Sequence, residues 1–497
     1  MATQHPDNAL PPFWDKQKDP FVAVYKEIPE AVTCFEELGV SEYMWDWEGK
    51  HADAAVIDRL FSEHYDYFSK HQLGRDKFLT FRIPNVWEEK GYNLLQAMTV
   101  VLSGEDFARD LKFEKRPLFE VILPMTERAE QLMRIHKLFE KLARFKSSDF
   151  TKHEPDNDDY LELIPLIESV QSQLDTGKLL EKYASLHKEH FDSKPVYLRP
   201  FFARSDPSLV SGMLSTVLAN KIALSQAYSF SKKNDVPVFP ISGVGSLPFR
   251  GGLSPDTVDD YISEHPGMRT VTVQSSFRYD NPIAKVKDAI TELEEKLPKT
   301  SPVVFDTATE KELTNISCES EKIYQKTLMA IAGDMKAVFA SVPKRRERRQ
   351  HIGLLAYGRK LGEQKMPRAI TFTAGFYSIG VPPEFISTGR ALSKLNSEQL
   401  NLVRKNYRLL KSDLQRAGKY LNRQNLSQLA ERNDGWKDVQ KDIELVEKVL
   451  GIEFGVETKE EKAHEQITAQ IIKLRGEPSD ELKSKISEAA VLRKSLG

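Results

Sequence analysis

The sequence predicts an α/β fold, a (β/α)8 TIM-like barrel with extra helices that include a helical C-terminal region. Short β-like runs recur along the chain, and most lead into a segment with helical spacing of apolar residues. Polar and charged residues gather where these runs end. Strand, loop and helix in repetition indicate parallel βα units, and a barrel of such units carries its site at the C-terminal ends of its strands. A doubly wound open sheet, which also binds ligands beyond its strand ends, is the alternative.

Five β-like runs define the predicted units. They are residues 78–83 (FLTFRI), 118–123 (LFEVIL), 196–203 (VYLRPFFA), 236–241 (VPVFPI) and 269–273 (RTVTV). Helical patterns follow the first three runs, at about residues 88–110, 126–145 and 207–230. The acidic stretch 152–159 (KHEPDNDD) lacks apolar residues and is predicted to be an exposed loop.

Two regions follow from the change in composition near residue 395. Residues 1–394 are predicted to form the barrel with its inserted helices. Residues 395–497 are rich in Lys, Glu, Gln and Leu, and Leu409, Leu414 and Leu421 recur with helical spacing. We predict that this second region is helical and packs on the barrel or at a subunit interface.

Composition narrows the class of protein. The 497 residues are 40% hydrophobic and 29% charged, which is typical of a globular chain. The 71 Lys and Arg nearly balance the 73 Asp and Glu, so a nucleic-acid or membrane-surface binder is not expected. Cys34 and Cys318 show neither metal-ligand spacing nor a disulfide framework. With no leader-like N-terminus and no membrane-length apolar run, a cytoplasmic location is expected.

A glycine-rich stretch, PISGVGSLPFRGG, follows the fourth run. Gly251 and Gly252 allow the backbone to approach a ligand closely, and exposed amides in such loops can bind anions. Arg250 adds a planar charged fork that suits phosphate or carboxylate. The stretch matches neither the Rossmann fingerprint nor the Walker A motif. The alternative is a sharp turn that carries a surface arginine.

Two carboxylates stand near predicted strand ends. Glu120 interrupts an otherwise apolar run, where a carboxylate is costly unless it is paired or bound to a metal. Asp206 follows the third run and precedes Pro207, so a helix cap is an equally good interpretation. Two carboxylates from different strands, completed by water and substrate oxygens, are what Mg²⁺ prefers.

Arginines accompany these acids at the same predicted rim. Any one of them is more often a surface charge than a ligand contact. Together with Arg250 and the two acids they suggest a site for a small polyanion and a divalent cation. They are Arg82, Arg204, Arg278 and Arg359.

The first residues, MATQHPDNA, allow two interpretations. Terminal segments are poorly ordered unless something holds them, so a solvated tail is the simpler one. The other is that the tail folds back and brings the His5 imidazole to the site.

Seven motifs, taken in order, resemble the archaeal-type (short) phosphoenolpyruvate carboxylases. They span about four fifths of the chain and are specific as a set: TQHPDNA, FRIPN, RPLFEVILPMTE, RPFFARSDPSLVSG, GVGSLPFRGG, TVTVQSSFRYDN and FTAGFYSIGVPPEFISTGRAL. The resemblance implies a carboxy-lyase that acts on phosphoenolpyruvate and bicarbonate. Carboxyphosphate and an enolate would form first, and oxaloacetate and phosphate would be the products.

The resemblance also implies roles for residues. Glu120 and Asp206 would bind Mg²⁺ or Mn²⁺, His5 would handle carboxyphosphate, and Arg250 and Arg82 would stabilise the transferring phosphoryl group. His5 is expected to fold into the barrel mouth. The remaining substrate-binding candidates are Arg204, Arg278, Arg359, Gly251 and Gly252. A homotetramer is a further implication.

Departures from the longer enzymes of this family leave part of the site open. Ile241 to Val244 lacks their second arginine and nearby histidine, and FTAGFYSIG lacks another arginine. Two alternatives also stay open: another Mg²⁺-dependent barrel enzyme for phosphoenolpyruvate or a 2-oxo acid (a lyase or phosphotransferase), and a helical scaffold without catalysis.

Overall fold

Eight parallel strands, hydrogen-bonded in sequence order, form the central sheet of the computed structural model, which describes residues 1–150, 160–347, 360–362 and 364–497. The strands are β1 (Ala2–Thr3), β2 (Glu42–Asp46), β3 (Phe78–Arg82), β4 (Glu120–Leu123), β5 (Glu162–Ile167), β6 (Phe201–Ala203), β7 (Ile241–Gly243) and β8 (Thr270–Val271).

The last strand returns to the first. Beyond β8, the Val273 amide donates to the Met1 carbonyl at 2.8 Å, and the Thr3 amide lies 3.4 Å from the Val273 carbonyl. Ala2 and Val273 form a parallel bridge. The predicted (β/α)8 TIM-like class is therefore confirmed, and the N-terminal residues supply one of its strands rather than a solvated tail.

Helices connect and surround the strands. Those before residue 347 are α1 (Glu27–Glu36), α2 (Val56–Glu63), α3 (Tyr65–Phe68), α4 (Tyr92–Asp110), α5 (Ala129–Asp149), α6 (Val170–Leu174), α7 (Thr176–Phe191), α8 (Ser205–Ser211), α9 (Met213–Asn234), α10 (Val258–Glu264), α11 (Ser275–Tyr279), α12 (Ile283–Lys296), α13 (Thr307–Ile331) and α14 (Lys336–Ser341).

A short antiparallel pair and a second group of helices complete the described chain. They are β9 (Lys360–Leu361), β10 (Gln364–Lys365), α15 (Ala369–Ser378), α16 (Thr388–Ser393), α17 (Ser397–Asn406), α18 (Leu410–Gly418), α19 (Arg423–Ala430), α20 (Asp434–Leu450), α21 (Lys459–Leu474) and α22 (Asp480–Leu492). Within the described ranges, no helix combines the length and the apolar character needed to cross a bilayer.

Apolar side chains fill the inside of the barrel, as in other closed parallel barrels. Members of this inner core are Met44, Ile122, Ile164, Leu166, Phe201, Ala203 and Ile241, and Met1 packs against them. A separate core joins α8 and α9 to the C-terminal helices, from Leu209 to Leu496. The helices beyond residue 395 thus bury their apolar faces against the barrel's own helices.

The predicted elements differ from the observed ones mainly at their ends. β6 and β7 are three residues each, and the predicted runs start several residues earlier, where Leu198 and Val238 form only an isolated bridge. Proline lacks the amide hydrogen that a ladder needs, and Pro200, Pro237 and Pro240 lie in these runs. The stretch 152–159, predicted as a loop, lies outside the described residues.

Candidate active site

The C-terminal ends of the strands carry a group of charged side chains around His5. Thr3 pairs with Met44 of β2, so the chain beyond β1 runs alongside the end of β2. There the Asp46 amide donates to the Gln4 Oε1 at 2.9 Å. The strand register therefore brings His5 to the mouth of the barrel.

His5 is half-buried, and both of its ring nitrogens have a neighbour. Nδ1 lies 2.9 Å from the Thr3 Oγ1, and Nε2 lies 3.5 Å from the Arg82 Nη1. Because a guanidinium can only donate, Nε2 is assigned as the acceptor and Nδ1–H as the donor to Thr3. Burial, and then the Arg82 charge, hold the pKa of His5 well below its usual value of 6.5. The imidazole is therefore neutral near pH 7 and presents an unprotonated Nε2.

Arg82 ends β3 and is held by two acids. Its Nε and Nη2 donate to the two carboxylate oxygens of Asp46 at 2.9 and 2.7 Å, and Nη1 lies 2.9 Å from the Glu48 Oε2. Burial alone would lower the pKa of Arg82, but Asp46 and Glu48 outweigh it and raise that pKa. The result is a permanently charged guanidinium in a fixed position beside His5.

Arg368, which the sequence analysis did not select, belongs to the same group. It lies directly before α15, is half-buried, and its Nη2 is 3.9 Å from the Glu48 Oε1. Its charge also contributes to the lowered pKa of His5. A positive charge just before FTAGFYSIG, the segment that lacks the expected arginine, could have indicated it.

Arg250 lies in the 3₁₀ turn Pro248–Arg250 after β7, and the structure buries it almost completely, at 1% exposed. Its Nη1 pairs with the Asp7 Oδ2 at 2.9 Å, its Nε donates to the Ser205 Oγ at 3.1 Å, and further N–H groups donate to the Gln274 Oε1 and the Gly497 carbonyl. Four of the five guanidinium hydrogens are thus used by the protein. Arg250 therefore joins the N-terminal segment, α8, Gln274 and Gly497 at the mouth of the barrel.

The predicted glycine candidates close the same turn. Gly251 and Gly252 have φ of 119° and 72°, and their amides donate within the turn, to the Pro248 and Leu247 carbonyls. Gly245 allows the guanidinium to approach, since a Cβ there would lie 2.8 Å from the Arg250 Cζ. The amides of Gly251 and Gly252 therefore shape the turn.

Two of the predicted arginines, Arg204 and Arg278, contact groups other than His5, and a third, Arg359, is not among the described residues. The Arg204 Nη1 donates to the Ser208 Oγ and the Met213 carbonyl, and burial lowers the pKa of Arg204. Arg278 is 0% exposed, pairs with the Glu30 Oε1 at 2.9 Å and donates to the Val273 carbonyl. Arg359 lies outside the described residues.

The structure does not bring the two predicted metal ligands together. Glu120 is the first residue of β4 and stands opposite Glu162, the first residue of β5, whereas Asp206 lies beyond the last residue of β6. From the level of Glu120 to the end of β6 the register advances four residues along β5, from Glu162 to Leu166, and two along β6, from Phe201 to Ala203. This is roughly 20 Å of strand. Glu120 is therefore at the N-terminal end of the barrel, away from the mouth.

Glu120 has partners that explain its burial without a metal. Its Oε1 accepts from the Tyr197 hydroxyl at 2.6 Å, and its Oε2 pairs with Arg199, which also holds Glu42 at 2.8 Å. Burial raises the pKa of Glu120, while Arg199 opposes that rise. The costly acid in an apolar strand is thus satisfied by an ion pair at the base of the barrel.

Glu168 is a carboxylate at the same end of the barrel as Asp206. It follows β5 directly, is 8% exposed, and stands at the level of Ala203, three residues before Asp206. Its Oε2 accepts from the Met125 amide at 2.6 Å. Within the described residues, no three His, Cys, Asp or Glu side chains are grouped closely enough to hold an ion by themselves. Two carboxylates completed by water and substrate oxygens are nevertheless a ligand set that suits Mg²⁺, which keeps several non-protein ligands.

Comparison with known proteins gives consistent matches. The sequence profile described as "Phosphoenolpyruvate carboxylase" matches residues 1–497. A protein of the same name from Leuconostoc mesenteroides is 49% identical over 497 residues, covering 100% of this chain and 98% of the relative. Those from Oenococcus oeni and Metallosphaera sedula are 48% and 36% identical and cover 98% and 99% of their own lengths. These matches confirm the family and the enzyme class that the seven motifs predict.

Proposed function

Because this chain belongs to the phosphoenolpyruvate carboxylase family, we propose that it carboxylates phosphoenolpyruvate with bicarbonate and forms oxaloacetate and phosphate. The observation that carries the proposal is the neutral His5 imidazole, whose Nε2 faces the Arg82 guanidinium at the mouth of the barrel. A base and fixed positive charge stand together there, as transfer of a phosphoryl group to bicarbonate requires.

His5 would act as the base. Attack of bicarbonate on the phosphorus yields the enolate and carboxyphosphate, which still carries the bicarbonate proton. The His5 Nε2 takes that proton, and the C–O bond of carboxyphosphate then breaks to give carbon dioxide and phosphate. The enolate carbon attacks carbon dioxide to form oxaloacetate, and His5 returns its proton to phosphate. Thr3 holds the Nδ1 proton throughout.

Arg82 and Arg368 would bind the phosphoryl oxygens. Arg82 is held in place by Asp46 and Glu48, so its charge needs no rearrangement during the reaction. The Arg368 Nη2 lies 3.9 Å from the Glu48 Oε1, and the other oxygen of Glu48 holds Arg82. The predictions for Arg250, Arg204, Arg278, Gly251 and Gly252 stay open.

Glu168 and Asp206 would hold a divalent ion, Mg²⁺ or Mn²⁺, at the ends of β5 and β6. Such an ion would stabilise the charge that develops on the enolate oxygen. The assignment replaces Glu120 by Glu168 in the predicted pair, because Glu168, unlike Glu120, lies at the same end of the barrel as Asp206.

A coupled assay tests the proposal. Malate dehydrogenase converts oxaloacetate with loss of NADH absorbance, and bicarbonate and the metal are each left out in turn. We expect activity only with both, and a loss of about 100-fold or more for His5→Asn. His51→Asn, which changes an exposed histidine, is the matched control and should keep full activity. Consumption of phosphoenolpyruvate without bicarbonate and without formation of oxaloacetate would favour a lyase or phosphotransferase instead.

A further inference from the structure

Asp7 joins four segments of the chain at the mouth of the barrel. Its side chain is fully buried. Asp7 belongs to the N-terminal segment and contacts the glycine-rich turn through Arg250. It contacts the start of α11 through Ser275 and Ser276. Its backbone carbonyl accepts from the Leu496 amide, near the C-terminus, at 2.7 Å.

The two carboxylate oxygens of Asp7 serve different neighbours. Oδ2 pairs with the Arg250 Nη1 at 2.9 Å. Oδ1 accepts from the Ser276 amide at 2.8 Å and lies 3.0 Å from the Ser275 Oγ. A rotation of the carboxylate that kept one contact would break the other, so the guanidinium and α11 are fixed relative to each other.

The same contacts fix the backbone of His5. The Asp7 amide donates to the Ser275 Oγ at 2.8 Å, and the Ser275 hydroxyl lies 2.7 Å from the His5 carbonyl. Only Pro6 stands between His5 and Asp7, and its ring restricts the backbone further. The position of the His5 ring therefore depends on how Asp7 is held.

We propose that Asp7 is a positioning residue that sets the Arg250 guanidinium and the His5 imidazole in one fixed arrangement for catalysis. The proposal rests on the proposed function. Asp7 touches no reacting atom; it acts through Arg250 on one side and through Ser275 and His5 on the other. In the carboxylase reaction a displacement of about 1 Å at such a site costs about 100-fold in rate.

Asp280 provides a matched control because it holds the same segment without Arg250. Its Oδ2 and Oδ1 accept from the Ala9 and Leu10 amides at 2.8 and 2.7 Å. Asp280→Asn removes one of these acceptors and loosens the segment two residues beyond Asp7. Asp7→Asn has the same shape change but also leaves Arg250 without its carboxylate partner.

The experiment measures kcat and the KM for phosphoenolpyruvate in a double-mutant cycle of Asp7→Asn and Arg250→Gln, with thermal unfolding of every variant. We expect Asp7→Asn to lower kcat/KM about 100-fold. The double variant should stay within about twofold of Arg250→Gln alone, since the two residues act as a unit. Asp280→Asn should retain most of the activity even where it lowers the melting temperature.

Ser275→Ala keeps the proposal testable if Asp7→Asn does not fold. It removes the hydroxyl contact to His5, keeps the longer Ser275 amide contact at 3.4 Å and leaves the Asp7–Arg250 pair, so it should lower kcat about tenfold with little change in the KM for phosphoenolpyruvate. Losses that multiply in the cycle, or a Ser275→Ala variant with unchanged kcat, would overturn the positioning role while wild-type activity persists. A wild-type enzyme that forms no oxaloacetate would instead refute the proposed function.

Discussion

Glu168→Gln and Glu120→Gln are the same chemical change at the two ends of the barrel. We expect the first to change the Mg²⁺ requirement and the second to change stability. Glu168→Gln should raise the Mg²⁺ concentration needed for half-maximal activity, because an amide oxygen is a neutral and weaker ligand for a hard cation. Glu120→Gln should leave that concentration unchanged and lower the free energy of unfolding.

The size of each effect follows from the contacts. Loss of one of two carboxylate ligands at the ends of β5 and β6 should weaken the ion by at least about tenfold, or about 1.4 kcal/mol. At the base, Arg199 keeps Glu42 at 2.8 Å as an anionic partner, and the new amide oxygen can still accept from Tyr197. Glu120→Gln therefore loses one charge-assisted bond, which costs about 1.5–3 kcal/mol of stability.

Two measurements separate the outcomes. The coupled oxaloacetate assay is run across an Mg²⁺ titration for wild type and both variants, and thermal unfolding is followed without metal. The assignment of Glu168 predicts a shifted titration for Glu168→Gln only. A shifted titration for Glu120→Gln with an unshifted one for Glu168→Gln would refute the assignment of Glu168 as a metal ligand.

Three further outcomes are expected. Arg82→Met removes the positive charge that is, after burial, the largest cause of the lowered pKa of His5. The acidic limb of the pH profile of kcat/KM, which reports protonation of the base, should therefore move to higher pH while overall activity falls. An unmoved limb would mean that another group is titrating. Thr3→Val should lower kcat about tenfold by releasing the Nδ1 proton, and Thr3→Ser, which keeps the hydroxyl, should restore it. Burial raises the pKa of Glu162 from 4.5 to about 7, so the folded state binds the extra proton between these values and stability falls as pH rises through them. Glu162→Gln should thus stabilise the protein at pH 8 by about 1–2 kcal/mol, less than the roughly 3 of the full shift because the group is partly exposed; in urea unfolding the gain should vanish near pH 4.

The barrel could be predicted from the sequence because repeated strand–helix units survive errors in individual strands. β3, β4, β6, β7 and β8 overlap or adjoin predicted runs. β1 could not be predicted, since its two residues carry no pattern and its partners are distant in sequence. β2 and β5 also have no counterpart among the predicted runs.

The sequence pointed to Asp206 but not to Glu168 as an acid of the candidate site. The physical reason lies in where each acid stands relative to its apolar run. An acid inside a run, such as Glu120, shows that some partner exists but not whether it is a cation on another strand or a bound ion. Its partner here is Arg199, from the start of the segment that leads into β6, and no local pattern links the two. An acid that directly follows a run lies at the carboxyl end of a strand, where parallel barrels bind ligands. Glu168, directly after LIPLI, is of this second kind, and Asp206 follows FFA after only two residues. The same reasoning explains His5: a histidine two residues beyond β1 is brought to the mouth by strand pairing, whatever the usual disorder of termini.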